Sequence, residues 1–225
     1  MNVNKDSLGE RLYSAARYVR NGAILCDVGT DHAKLPIVLV SEGIAKKAYA
    51  TDINEGPIST AKKNVEELGL TDRIECIRTD GLLHTENLGI SDICICGMGG
   101  ELISRIIGDC GYVKDRSVRL ILQPMTHPQD LRKFLFENGF EIIDETLCVD
   151  SDKLYVVICA HYTSDVSEYD LSDLYLGKIL PARKRDALFF RLKEKVLRDI
   201  KNKFAVNDPF LKKKYKDLYI EIEAK

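Results

Sequence analysis

Asp27, Gly29, Asp31 and His32 fall close together in Leu25-Cys26-Asp27-Val28-Gly29-Thr30-Asp31-His32. Glycine lets a ligand approach the backbone closely. The two acids suit a ligand with positive charge or amine donors, and they would repel a pyrophosphate. The same residues also fit an ordinary strand-to-helix turn, with Asp31 as N-cap and His32 bonding to backbone. Asp52 follows twenty-five residues after Asp27, in Ala50-Thr51-Asp52-Ile53-Asn54, where a carboxylate can accept hydrogen bonds from both hydroxyls of an adenosyl ribose. In Thr79-Asp80-Gly81, Asp80 can accept from an adenine amine and Gly81 lets the ring lie flat on backbone. Three acids at three strand ends are harder to explain as surface turns than one. In Cys96-Gly97-Met98-Gly99-Gly100-Glu101, the glycines make room at the crevice where a sheet changes direction. Met98 can pack on a cofactor or aromatic substrate through its sulfur, or simply fill core.

Two absences narrow the chemistry. In the nicotinamide fingerprint GxGxxG, the second and third glycines would fall on Asp31 and Lys34. The Gly97–Gly100 turn also lacks the Asn-Pro-Pro-Tyr-like segment that holds exocyclic amines in enzymes methylating them.

The elements that must position these residues follow from periodicity. Strands are expected at Ile24–Val28, Lys47–Asp52, Ile74–Ile77, Ile93–Cys96, Val118–Leu122, Glu141–Val149 and Leu154–Ala160. Helical patterns occupy Ala33–Glu42, Pro57–Leu68, Glu101–Cys110 and Pro128–Asn138, with Gly43, Gly69 and Gly139 just past three of their ends. Strand and helix in alternation predict a parallel sheet covered on both faces. Only Asp150-Ser151-Asp152-Lys153 separates the last two strands, too short for a parallel crossover and right for an antiparallel hairpin. The expected fold is α/β: a seven-stranded, Rossmann-like sheet of the class I methyltransferase type with an antiparallel last strand. The polar stretch Thr163–Asp173 reads as a linker, dividing a ligand-binding domain at 1–162 from a tail at 163–225. In the tail, Leu188, Leu192, Val196, Ile200 and Phe204 form one helical stripe, and Asp208-Pro209 opens a second helix carrying Leu211, Tyr215, Leu218 and Ile222. This predicts a helical hairpin.

The chain's 225 residues exclude two large domains. Its apolar runs are too short to cross a bilayer, and Met1-Asn2-Val3-Asn4-Lys5-Asp6 has no apolar signal region, so a cytoplasmic protein is expected. Seven cysteines, mostly inside apolar runs and without CxxC spacing, read as buried thiols rather than a zinc site or disulfide framework; no metal is expected. The net charge of −2 is unevenly spread: Gly177–Lys216 carries fourteen Lys and Arg against four acids, a local +10, which leaves −12 on the rest. Such a patch suits a polyanion, and a solvated lysine-rich helix face is the plainer alternative.

Leu8-Gly9-Glu10-Arg11-Leu12, Asp27-Val28-Gly29-Thr30-Asp31-His32-Ala33-Lys34-Leu35-Pro36, Thr51-Asp52-Ile53-Asn54, Gly97-Met98-Gly99-Gly100 and Leu122-Gln123-Pro124 together resemble the TrmK family. These are bacterial S-adenosylmethionine-dependent methyltransferases acting on N1 of adenine 22 in tRNA. The chain departs from the pattern at Met125, where asparagine is expected, and at Tyr155-Val156, where relatives carry Tyr-Glu. The resemblance implies S-adenosylmethionine as cofactor, held by Asp27, Gly29, Asp31, His32, Asp52, Ile53, Asn54, Asp80, Gly81, Gly97 and Met98. For that reaction Asp31, His32 and Gln123, after strand ends that face the crevice, are the candidates to hold the target base; a tRNA partner is expected on Arg11 and, from the local +10, on Lys184, Arg185, Arg191, Lys195 and Arg198. No membrane and no obligate protein partner are expected. A small-molecule methyltransferase and a non-catalytic RNA-binding module of the same fold are the competing readings. The basic tail opposes the first, and the intact acidic positions oppose the second.

Overall fold

Seven apolar segments become strands: β1 (Ala23–Val28), β2 (Ala45–Asp52), β3 (Ile74–Arg78), β4 (Asp92–Gly99), β5 (Arg119–Thr126), β6 (Phe140–Asp150) and β7 (Lys153–Tyr162). In this computed structural model, which describes residues 5–183, 186–205 and 207–225, they form one sheet in the order β3-β2-β1-β4-β5-β7-β6. The first five pair in parallel, and β7 runs antiparallel to both β5 and β6. The turn between the last two uses Ser151 (φ 48°) and Asp152 (φ 62°), two consecutive left-handed residues whose twist matches that of a hairpin.

Side chains on both faces of the central strands are buried. Leu25, Cys94, Ile121 and Val157 face one way, Ile93, Ile95, Leu120 and Leu122 the other, all 0% exposed. The interior strands therefore read as continuous apolar runs. The covering helices are α1 (Lys5–Ala16), α2 (Lys34–Ser41), α3 (Glu55–Glu67), α4 (Gly100–Gly108) and α5 (Pro128–Glu137). Periodicity missed α1, because Gly9 breaks it with non-helical backbone (φ 72°, ψ 163°). Other helix ends lie within two residues of expectation. β4 and β5 run further than expected, through Met98 and Gln123, with irregular register at Cys96/Met98 and Met98/Gly99. The glycine-rich motif is thus the distorted end of a strand rather than a turn beyond it. All seven cysteines are free thiols. Burial pushes the Cys26, Cys94 and Cys96 thiols up, which keeps them protonated and unreactive.

The chain divides into two compact units, 1–167 and 168–225. The second contains α6 (Leu171–Leu176), α7 (Ala187–Asn202) and α8 (Pro209–Ala224). The expected linker through Asp173 is corrected here: Asp170 and Asp173 form a capping box that starts α6, so a polar cluster that reads as linker is a helix start. Asp208 caps α8, its Oδ1 accepting from the N–H groups of Phe210 (2.8 Å) and Leu211 (3.2 Å). Val196, Ile200, Leu218 and Ile222 are buried as the spacing predicts, whereas Leu188, Leu192 and Phe204 are only half-buried and Phe189 takes a buried place instead. Among the described residues no helix is long and apolar enough to cross a membrane.

Candidate functional site

The chain leaves β1 through Gly29, whose N–H and that of Thr30 both donate to the Thr51 carbonyl at 2.8 Å. These bonds tie the first strand end to the second. Gly29 has φ 72°, and a Cβ there would lie 2.2 Å from Met98 Cε, so the methionine occupies the space a side chain would need. One residue inside the strand, Asp27 is buried. Its Oδ2 accepts from Thr30 Oγ1 at 2.7 Å. Burial pushes its carboxyl up to about 6, the Thr30 bond opposes this, and the nearby Asp31 charge adds to it.

At the end of β2, the Asp52 carboxylate accepts from the Asn54 N–H at 2.8 Å, which fixes its direction. Ile53 beside it is 54% exposed. After β3, Asp80 faces Arg105 across 3.5 Å. Gly81 follows with φ 61°, where a Cβ would come within 3.0 Å of Ile106. Between these strand ends lies a cleft of about 270 Å³. It brings together seven of the residues expected from the sequence: Gly29, Asp52, Ile53, Asn54, Asp80, Gly81 and Met98. Val28, Thr51, Thr79, Leu102, Arg105 and Ile106 complete the lining. Leu102, Arg105 and Ile106 escaped the sequence reading. Their spacing on α4, three and four residues apart, puts them on one helix face directly after the glycine-rich motif, and that was the available signal. The cleft is polar at its acids and apolar at Ile53 and Leu102, a combination suited to a flat ring joined to a hydroxyl-bearing sugar.

Other expected residues stand off the cleft. Asp31 and His32 lie on the exposed loop before α2, paired with each other at 3.3 Å, and Lys34 also reaches Asp31 at 3.7 Å. The cap position of α2 belongs to Ala33 rather than Asp31. His32 and Ala33 are consecutive left-handed residues (φ 59° and 56°), and Asn64 Nδ2 donates to the His32 carbonyl at 3.0 Å.

Gln123 is buried with its amide spent inside the protein. Its Oε1 accepts from Arg11 Nη1 at 2.7 Å and from the Gly97 N–H at 3.1 Å, and its Nε2 donates to the Pro124 carbonyl at 2.9 Å. It braces the Gly97 bend (φ 87°) rather than facing the cleft. Arg11, expected on RNA, is half-buried and commits a guanidinium nitrogen to this brace. Arg191, Lys195 and Arg198 are exposed on α7 and, at this spacing, share a helix face. Lys184 and Arg185 lie outside the described residues.

Comparison with known proteins adds to this geometry. Residues 8–158 match the methyltransferase domain family. A tRNA (adenine(22)-N(1))-methyltransferase of Bacillus subtilis (strain 168) is 35% identical over 195 residues, covering 84% of this chain and 81% of the relative. The crystal structure of Streptococcus pneumoniae Sp1610 in complex with S-adenosyl-L-methionine superposes with TM-score 0.82 at 36% identity, over 94% of this chain and 97% of that one. M. capricolum TrmK in complex with the product S-adenosyl-homocysteine gives TM-score 0.82 at 26% identity over 97% of each chain.

Proposed function

This chain belongs to the methyltransferase domain family and, within it, to the tRNA (adenine(22)-N(1))-methyltransferases, and from that membership we propose that it methylates N1 of adenine 22 in tRNA with S-adenosylmethionine as donor. The observation that carries the cofactor assignment is the cleft that Gly29, Asp52, Asp80 and Met98 share at the strand ends. Its donors and acceptors fit the group: carboxylates where hydroxyls and an amine need acceptors, exposed apolar faces for a ring, and glycines where a side chain would collide with Met98 or Ile106.

In this reading Asp52 accepts from the ribose hydroxyls, already oriented by the Asn54 N–H. Ile53 and Leu102 flank the adenine, and Asp80 with Gly81 meets its amine edge. Asp27, Gly29 and Gly97 border the amino-acid portion. When bound, S-adenosylmethionine supplies a methyl group activated by its sulfonium. N1 of neutral adenine carries a free lone pair, so no general base is required and the protein's task is alignment and electrostatics. Asp31 and His32, on the exposed loop before α2, meet the exocyclic amine of the incoming base, where a carboxylate would favour the cationic product. Gln123 and Arg11 act through Gly97 as positioning residues. The target base must first be freed from pairing or stacking. The exposed cations Arg191, Lys195 and Arg198 contact tRNA phosphates, and a tRNA substrate puts the activity in the cytoplasm.

The test is to incubate tRNA with the protein and S-adenosylmethionine, then analyse the nucleosides by chromatography and mass spectrometry. N1-methyladenosine is expected with the native chain and should disappear with Asp52→Ala. A dominant N6-methyladenosine product would overturn the reading of the Gly97–Gly100 motif. Methyl transfer to free nucleosides but not to tRNA would overturn the substrate.

A further inference from the structure

Phe210 is 76% exposed, and no large apolar side chain among the described residues is more so. It takes no part in the hairpin's own packing: the buried residues of α8 are Leu218 and Ile222, and Phe210 lies a residue off the stripe that Leu211 begins. The helix that carries it is anchored. Asp208 fixes the first turn through the Phe210 and Leu211 N–H groups, Phe204 packs edge-on against Tyr219 with centroids 5.6 Å apart, and Lys203 Nζ lies 5.3 Å from the Tyr215 ring centre. The ring therefore projects from an ordered helix start. Three and four residues on, Lys213 and Lys214 share its face, and they and Lys212 are exposed.

A rigid aromatic side chain backed by lysines is the combination that holds an unpaired nucleotide, with the ring stacking on the base and the ammonium groups meeting phosphate. We propose that Phe210 is a stacking platform for an unpaired base of the RNA substrate, one helical turn from a phosphate contact at Lys213 and Lys214. This deepens the proposed function and rests on the tail meeting RNA. A second copy of this chain suits the patch less well, because the +10 segment around it would repel its twin.

Salt dependence separates the two kinds of contact, since stacking releases no counterions and phosphate contact does. Binding of the full-length chain to fluorescently labelled tRNA is measured by anisotropy at several salt concentrations, with circular dichroism as a check on folding. Phe210→Ala should raise Kd about tenfold with the slope of log K against log salt unchanged, and Phe210→Trp should restore binding. Lys213→Ser with Lys214→Ser should weaken binding and flatten the slope by about 1.5. If the lysine pair matters and Phe210→Ala binds like the native chain, the stacking proposal falls while the tail still meets RNA. If neither matters, α8 takes no part in binding RNA and the proposal falls, while the cations of α7 are tested by their own variants. Phe210-dependent self-association in sedimentation, without an effect on RNA affinity, would assign the ring to a second copy and overturn the proposal.

Discussion

Asp27 is a carboxyl whose surroundings favour its neutral form, because burial outweighs the single hydroxyl that Thr30 donates. A carboxyl ordinarily titrates near 4 when the chain is unfolded. With the folded value at about 6, the folded state binds the extra proton between those values, and stability falls as pH rises through the window. It levels off above it. The loss sums to roughly 3 kcal/mol. Asp27→Asn keeps an acceptor for Thr30 and does not titrate. Its stability relative to the native chain should therefore improve by up to that amount between about pH 4.5 and about pH 7.5, read as the difference in urea unfolding free energy at the two values. An equal difference at both would show that burial does not perturb this carboxyl. Near neutral pH, then, a charged group is held at the strand end at a cost in stability.

The β6–β7 hairpin depends on two left-handed residues without glycine, Ser151 and Asp152. Asparagine tolerates that conformation better than serine, and a β-branched residue tolerates it far worse. Ser151→Asn should therefore stabilise the protein by about 0.5 kcal/mol and Ser151→Val should destabilise it by about 1–2 kcal/mol, measured by chemical denaturation. A smaller loss for valine than for alanine would refute the turn assignment. Elements of this kind are legible in sequence because a four-residue gap between two apolar runs admits few connections. Asp52 and Asp80 are legible because one ends β2 and the other follows β3 by two residues, and both strands show as apolar runs in the sequence. Leu102, Arg105 and Ile106 are not. Their place in the cleft depends on which face of α4 turns toward the strand ends, and that is set where Gly100 packs so closely on the His127 backbone that a Cβ would lie 2.3 Å from its carbonyl oxygen. Arg11 shows the opposite failure. It is expected on RNA, and only the fold reveals Gln123 within 2.7 Å of it. The capping box of α6 hides because aspartate and serine serve linkers and helix starts alike.

Across the whole molecule charge is segregated, +10 on Gly177–Lys216 against −12 elsewhere. Replacing Arg191, Lys195 and Arg198 together with glutamate should weaken tRNA binding and reduce the slope of log K against log salt by about 2 or more. An unchanged slope in anisotropy titrations would make that face of α7 a merely solvated one. The sheet order has a different consequence, which concerns time. β1 is an interior strand: its Leu25 pairs with Ala48 on one side and with Asp92 on the other. The first partner is synthesised soon after β1. The second follows 67 residues later, a wait of roughly 3 to 13 seconds at ribosomal rates. During that interval the nascent chain carries an unpaired edge of Ile24, Leu25, Cys26 and Val28, the kind of edge on which chains aggregate. It also has no complete ligand cleft, since Met98, Leu102, Arg105 and Ile106 all come with or after β4. The ligand therefore cannot act as a template for the first half of the sheet, and the nascent chain must keep that edge from aggregating without its help.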